Sequence, residues 1–332
     1  MASSAIEPTA MKAIVQQASG SPEVLRLREV AKPQIADDRV LVRVRAASVN
    51  ALDWHTVHGG SILRLVALVM RSKPNPIRGV DVAGVVEAAG ANVTKFRPGD
   101  EVFGVGQGTF AEYATGSERG LIAKPPQLSF AHAAAIGVAG VTALQGVRDR
   151  GRVRSGQRVL IHGAGGGVGT FAVQIAKALG AEVTAVTSTR NMEVVGSLAP
   201  DALINYERED FTRRAERYDL IFDVAATRSF EDMHHVLAPD GRIVLAGAAK
   251  TGAFLLVLAR ALGGIVRARL GARWLVPFLA QTRAEDLATL RDLVVKGQVR
   301  PVIDRTFPLS DVAEAVRYVG SGQARAKVVI EV

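Results

Sequence analysis

Seven residues, Gly163-Ala164-Gly165-Gly166-Gly167-Val168-Gly169, constrain this chain more than any others. They follow a short apolar run, Arg158–His162, that reads as a strand. They open a segment, Gly167–Leu179, whose apolar positions Val168, Phe171, Ala172 and Ile175 read as a helix. A β-branched run, Glu182–Thr187, supplies the next strand. Strand, glycine loop, helix and second strand in this order are the context a dinucleotide fingerprint requires. Read as x-x-G-x-x-G, Ala164 takes the first position, Gly166 the second and Gly169 the third, with Ala164 departing from glycine. Gly166 lets the backbone approach a pyrophosphate, and Gly169 lets the helix pack on the sheet. The loop N–H groups and the helix dipole would hold the phosphates. A merely flexible turn is the bland alternative, and the surrounding pattern outweighs it.

The end of the second strand bears on which dinucleotide is bound. A site for NAD places an Asp or Glu there, about 20 residues on, to bond the ribose 2′-hydroxyl. This strand ends Val186-Thr187-Ser188-Thr189-Arg190-Asn191, without an acid, and Glu182 lies at its opposite end. A guanidinium binds a 2′-phosphate, which a carboxylate would repel. Ser188, Thr189, Arg190 and Asn191 therefore favour NADPH, the alternative being that Arg190 simply faces solvent.

The rest of the chain divides by pattern. Up to about residue 130, short apolar runs (Met11–Gln16, Val40–Val44, Val82–Val86, Glu101–Val105, Thr109–Ala114) alternate with Gly, Pro, Asn and Asp, as in a barrel-like or sandwich-like β domain. From about residue 137, strands at Ala202–Ile204, Leu220–Val224 and Arg242–Ala246 and a helix near Met192–Leu198 continue the βα alternation. That alternation implies a parallel sheet covered on both faces. Helices are expected over Ala284–Lys296 and from Ser310, as N-cap, to Gly320. A terminal strand, Lys327–Glu331, either extends the parallel sheet or returns to the β domain.

Composition excludes several classes. The 332 residues suit two domains, and 48% hydrophobic with 22% charged is ordinary globular usage. Cysteine is absent, which removes disulfides, thiolate zinc sites, iron–sulfur clusters and a cysteine nucleophile. It fits a reducing compartment, and a cytoplasmic location is expected. Lys and Arg number 41 against 32 Asp and Glu, a formal charge of +9 that attracts anions without choosing among them. No basic tail or aromatic-plus-basic platform argues for nucleic acid. The first ten residues read as a disordered extension, neither secretory signal nor transit peptide. No stretch offers the ~18 uncharged apolar residues of a membrane span.

Further motifs give the chain a family resemblance. Ser48-Val49-Asn50-Ala51-Leu52-Asp53-Trp54, Gly79-Val80-Asp81-Val82-Ala83-Gly84, Pro98-Gly99-Asp100-Glu101-Val102, Gly140-Val141-Thr142-Ala143, and Gly166-Gly167-Val168-Gly169 with Val173-Gln174-Ile175-Ala176-Lys177 occur in that order. Over residues 11–332 the chain resembles the zinc-free branch of the medium-chain dehydrogenase/reductases, the quinone oxidoreductases and reticulon-interacting-protein-like oxidoreductases. The resemblance implies an α/β fold: a GroES-like catalytic domain from residues 1–136 and 284–332 around a Rossmann domain, a doubly wound parallel sheet, of residues 137–283. It sends the terminal strand back to the β domain, implies a cleft for nicotinamide and substrate, and implies a homodimer.

The resemblance also assigns residues. It places Asn50 near the nicotinamide ribose or a substrate oxygen, where the bland reading is a turn residue. It places Thr142 beside the nicotinamide, where the alternative is a hydroxyl bonding its own helix. It places Tyr206 near the adenosine phosphate, and the strand ends at Val224, Ala246 and Gly247 beside ribose and nicotinamide. Asp53, Trp54 and His55 are substrate-cleft candidates. Zinc-binding relatives use Cys, a Gly-His-Glu motif and a further Cys or His; here Gly79-Val80-Asp81 stands in that place, and no metal is expected. His55 and His58, three apart, lack a third ligand, and His132, His162, His234 and His235 read as structural or solvated. Related enoyl-thioester reductases carry a Tyr proton donor where this chain has His58-Gly59-Gly60-Ser61, which counts against that reaction.

The expected function is a zinc-independent, NADPH-dependent reductase of quinones, enones or reactive carbonyls. The alternatives are a specialised alkene or ketone reductase of secondary metabolism, or an NADPH-binding protein with little turnover that associates with RNA. Two acid-free segments, Ile62–Arg78 and Gly252–Arg283, combine apolar residues with arginines. They read either as core and dimer packing or as a lipophilic lid whose cationic rim holds the protein weakly on anionic membranes.

Overall fold

The computed structural model describes residues 10–58, 75–246, 263–264, 266–267, 271–272 and 274–332. Gly247, Ser61, most of the segment 62–78, the first part of 252–283 and residues 1–9 of the expected extension lie outside the described residues. The chain forms two compact units. The first comprises Met1–Ala134, Arg305–Arg317 and Val328–Val332, the second Ala135–Asp304 and Tyr318–Lys327.

Antiparallel strands dominate the first unit. A two-stranded ribbon joins β1 (Ala10–Gln16) to β2 (Leu25–Ala31). A larger sheet runs β14 (Ile303–Pro308), β15 (Lys327–Glu331), β3 (Val40–Val49), β4 (Asp81–Ala89), β5 (Glu101–Val105), β7 (Leu121–Ala123), with β6 (Tyr113–Gly116) also on β3. In β3 the alternation Val40, Val42, Val44 turns valines inward onto Val82, Val86, Val102 and Leu121, while Arg43 and Arg45 face out. Each such buried side chain contributes roughly 1.5–3 kcal/mol. The terminal strand β15 pairs antiparallel with β3, Val328 opposite Val49, so it returns to the β-rich unit.

The second unit is built on a six-stranded parallel sheet. Its strands are β8 (Arg158–His162), β9 (Glu182–Thr187), β10 (Ala202–Asn205), β11 (Tyr218–Asp223), β12 (Leu237–Leu245) and β13 (Leu275–Pro277). Their order is β10-β9-β8-β11-β12-β13, the doubly wound order whose direction reverses between β8 and β11. Leu160, Val186, Ile204, Ile221 and Ile243 from successive strands share one core. Helix Gly167–Ala178 buries Phe171, Ala172, Val173 and Ile175.

Several expectations are corrected. Helix Ala284–Val295, expected with the β-rich domain, belongs to the second unit. Its Asp286 is buried and accepts from Gln145 Nε2 and Arg148 at 2.7 and 2.6 Å. Residues 318–327 belong there too, and Asp304 of that unit accepts from Tyr318 Oη (2.7 Å) and Arg325 N (2.8 Å). The strand expected at Thr109–Ala114 begins only at Tyr113, because Phe110 and Ala111 bond β1 instead. Ser310 is no N-cap: it lies within a 3-10 turn, Leu309–Asp311, that precedes helix Val312–Gly320, and its hydroxyl donates to Asp311. Among the described residues, no helix is long and apolar enough to cross a membrane.

Candidate functional site

The glycine loop leaves the carboxyl end of β8, beside the switch point of the parallel sheet. The N–H groups of Gly163 and Ala164 both donate to the Val186 carbonyl, at 3.1 and 3.0 Å, which curls the chain back over β9. Gly163, at φ +93°, makes the turn that the fingerprint assigns to its first glycine. That explains how Ala164, fully buried, is accommodated at the next position. Gly166 precedes the helix in extended conformation, and a Cβ there would meet nothing nearer than 3.6 Å. A Cβ on Gly169 would lie 2.2 Å from the Gly163 carbonyl oxygen, and one on Gly165 would lie 2.4 Å from the Asn191 side-chain nitrogen. Gly167 and Val168 begin the helix, with Gly167 against the Lys327 stem.

Whether these residues fit a dinucleotide can be tested on Asn191. Its side chain is 8% exposed, packs on Gly165, and leaves Oδ1 buried without a hydrogen-bond partner. Such a group is costly unless a ligand completes it. An orphaned acceptor beside a loop open at Gly166 fits a dinucleotide held across loop and strand end.

The Ser188–Arg190 segment holds a surprise. Ser188 is buried, and Thr189–Asn191 form one 3-10 turn. Thr189 donates to Glu207 Oε2 through both its N–H (3.2 Å) and its hydroxyl (2.5 Å). Asn205 donates to the same hydroxyl at 2.8 Å, and its own Oδ1 accepts from Glu207 N at 3.0 Å. The Thr189 hydroxyl and N–H, with the Arg190 and Arg208 charges, hold the Glu207 carboxyl below the usual carboxylate range. Arg190 donates to the Gly322 carbonyl. An acid thus does stand at the end of β9, delivered by the neighbouring strand: β10 runs parallel to β9 with Asn205 opposite Thr187. Sequence reasoning missed Glu207 because it sought the acid on β9 alone; the signal was an acid two residues past the end of the next parallel strand. Tyr206 is exposed, and its N–H donates to the Thr187 carbonyl.

The other strand ends are ordered by backbone bonds: Val224 N to the His162 carbonyl and Ala246 N to the Asp223 carbonyl, at 2.9 and 3.1 Å. His162 is buried between Asp223 Oδ1 (2.9 Å) and the Thr227 hydroxyl (3.2 Å), the satisfied structural role expected of it. Thr142 Oγ1 donates to the Val138 carbonyl at 2.7 Å, the helix-bonding alternative weighed for it.

In the β-rich unit, Asn50 stands at the start of a helix, Ala51–His58, that the sequence did not lead us to expect. Asp53 Oδ2 accepts from Asn50 N at 2.7 Å, the back-bond of a capping box. The Asn50 carboxamide is fixed by Asp81: Nδ2 donates to Oδ2 at 2.9 Å, and Ser48 Oγ donates to the same oxygen at 2.6 Å. Asp81 is fully buried, brought there because Ser48 and Asp81 are register partners on β3 and β4. His55 is buried, and desolvation, then the nearby His58, lowers its pKa from the usual imidazole range. Trp54 lies against the His58 ring, centroids 3.6 Å apart. Among the described residues no group of three or more His, Asp or Glu is placed to hold a metal ion.

Comparison with known proteins agrees with this architecture. Residues 36–126 match the alcohol dehydrogenase GroES-like domain, and residues 198–330 match the family described as zinc-binding dehydrogenase. A 2-methylene-furan-3-one reductase of Solanum lycopersicum is 33% identical, the alignment covering 97% of this chain and 79% of that protein. An NADPH-dependent alkenal/one oxidoreductase of Arabidopsis thaliana is 31% identical over 97% of this chain and 80% of its own length. The solved quinone oxidoreductase from Coxiella burnetii is 31% identical, covers 97% of this chain and 99% of its own, and superposes with a TM-score of 0.84. The chain belongs to the medium-chain dehydrogenase/reductases, as an oxidoreductase of the quinone oxidoreductase branch with a GroES-like and a Rossmann-type domain.

Proposed function

We propose that this chain is an NADPH-dependent, zinc-independent reductase that passes hydride to a quinone, enone or reactive carbonyl. The observation that carries the reading is the glycine loop at the sheet's switch point with the orphaned Asn191 oxygen beside it. The similarity to a furanone reductase, an alkenal/one oxidoreductase and a quinone oxidoreductase supports an electron-poor double bond or quinone as acceptor. When bound, the reduced nicotinamide supplies the hydride. The N–H groups of Gly165 to Gly169 would hold the pyrophosphate, and Asn191 Oδ1 would accept a ribose hydroxyl. Arg190 and Thr189 are the groups suited to a 2′-phosphate. Asn50, its carboxamide set by Asp81, offers a polar group of fixed orientation to ribose or substrate. Burial, then the nearby His58, lowers the His55 pKa from the usual imidazole range, and a proton from water would complete the reduced product.

A panel of quinones, enones and aldehydes assayed for NADPH oxidation tests the reading. At least one electron-poor acceptor is expected to turn over, and exhaustive chelation is expected to leave its rate unchanged, given zero Cys and the Gly79-Val80-Asp81 segment. No turnover with any acceptor overturns the reductase reading; loss on chelation with recovery by zinc overturns zinc independence. In direct titrations NADPH is expected to bind more tightly than NADH. Arg190→Ala should weaken NADPH about tenfold while leaving NADH unchanged, the scale of one charge-assisted contact at an exposed site. Equal wild-type affinities would refute the preference.

A further inference from the structure

We infer that Glu207 is a built-in competitor for the cofactor's 2′-phosphate, and that it sets the margin by which this chain separates NADPH from NADH. The inference rests on the NADPH reading proposed above for the same site. It starts from the donors. At the end of β9, the Thr189 N–H and hydroxyl are the neutral donors beside Arg190, and both already end on one carboxylate oxygen, Glu207 Oε2. Asn205 closes the arrangement into a ring, donating to the Thr189 hydroxyl and accepting from the Glu207 N–H. The second candidate ligand is engaged as well, since Arg190 donates to the Gly322 carbonyl.

A carboxylate and a phosphate oxygen make the same demand. Both are anionic acceptors, so neither can share these donors, and each repels the other. A phosphate entering here must displace Glu207 from Thr189 and draw Arg190 from Gly322. A 2′-hydroxyl needs neither change, because it carries no charge for the carboxylate to repel. The ring is therefore a site preset for the uncharged ribose, which the 2′-phosphate reaches by pushing Glu207 aside. Thr189, Arg190 and Glu207 are all exposed, so the displaced carboxylate moves into water rather than into a packed interior. The strand pairing is what permits this. Sitting one strand over from the usual ribose-reading acid, Glu207 touches the site through its side chain alone.

The test is calorimetric titration of NADPH, NADH, 2′,5′-ADP and 5′-AMP into wild type, Glu207→Gln, Thr189→Val and the double variant, with melting curves confirming the fold. Glu207→Gln is expected to tighten NADPH and 2′,5′-ADP roughly tenfold, the scale of removing one charge a few ångströms from a phosphate at a solvated surface. NADH and 5′-AMP should stay within about twofold on the same grounds. In the double variant part of that gain should persist, because the charge is still gone, and part should be lost with the Thr189 hydroxyl, leaving NADPH affinity between those of wild type and Glu207→Gln. An unchanged NADPH-to-NADH affinity ratio in Glu207→Gln overturns the inference, as does a loss of NADH affinity, which would make Glu207 a ribose ligand instead. Failure of the NADPH reading shows elsewhere, in the wild-type affinities and in Arg190→Ala, so the two outcomes are separable.

Discussion

Gly169→Val is expected to abolish useful dinucleotide binding, with affinity for NADPH and NADH alike falling about a hundredfold, the effect of misplacing a site by about 1 Å. The reason is the nature of the neighbours. A Cβ at Gly169 would stand 2.2 Å from the Gly163 carbonyl oxygen, 2.7 Å from Ala164 Cα and 2.8 Å from Ala164 C. All three are backbone atoms of the loop itself, so relief requires the loop to leave its hydrogen bonds to the Val186 carbonyl. Stability should fall with it, by about 1–3 kcal/mol for overpacking. Gly166→Ala is the informative contrast. Its Cβ meets nothing nearer than 3.6 Å, and its backbone is extended, so the free protein should melt as wild type. Binding should still weaken, because the open space beside Gly166 is where a pyrophosphate would approach. Melting curves and titrations of both variants check this. Wild-type affinity in Gly169→Val would refute the loop as the cofactor site.

Asp81→Ala is expected to cost about 3 kcal/mol of stability and at least tenfold in kcat/KM. Asp81 is completely buried and receives both Ser48 Oγ and Asn50 Nδ2 on one oxygen. Removing it leaves two donors facing an apolar methyl in a dry interior, each the kind of loss that costs 1.5–3 kcal/mol when the lost partner is charged, as a rough guide. The Asn50 carboxamide then loses a charge-assisted bond that orients it, and under the role proposed for Asn50 the effect would reach the reaction. Ser48→Ala keeps the Asp81–Asn50 bond and should cost only about 1 kcal/mol, with activity nearly intact. Denaturant titration separates the stability effects, and steady-state kinetics below the melting range separates the catalytic one. Activity unchanged in folded Asp81→Ala would remove Asn50 from the reaction.

Where the sequence was legible, one physical signal dominated. The strands Arg158–His162, Glu182–Thr187, Glu101–Val105 and Lys327–Glu331 have the bounds read from it, because runs of β-branched and apolar residues ended by Gly, Asp or polar residues admit little else. Helix Ala51–His58 is not among the helices expected from the sequence, where Asn50 alone carries a turn-residue reading. Its eight residues carry Thr56, Val57 and two histidines and show no apolar stripe, and what starts it is the Asn50–Asp53 cap. Strand β2 was overlooked because most of its side chains are exposed, with Leu25 buried and Val30 partly so and no alternation to see. The candidate site divided the same way. The glycine loop is local and was visible; Glu207 and Asp81 act through strand pairings, β9 with β10 and β3 with β4, whose register the residue order does not display. The role of Gly163 was hidden because a positive φ has no signature beyond glycine itself, and five glycines competed for it.

The return of β15 to β3 also governs how the molecule is made. Val328 pairs with Val49, partners separated by about 280 residues, a very non-local contact of the kind that slows folding. On a ribosome moving at roughly 5–20 residues per second, β3 waits on the order of tens of seconds for this neighbour. During that interval the nucleotide-binding sheet, whose strands β8 to β13 are consecutive in the chain, has already been synthesised. Its parallel strands can assemble while the β-rich unit still lacks the β15 partner along Ala46–Val49 of β3, the remainder of that side being paired with β6. The nascent chain therefore passes through a stage with an open strand edge, vulnerable to pairing with other chains, that closes only when the last strand emerges.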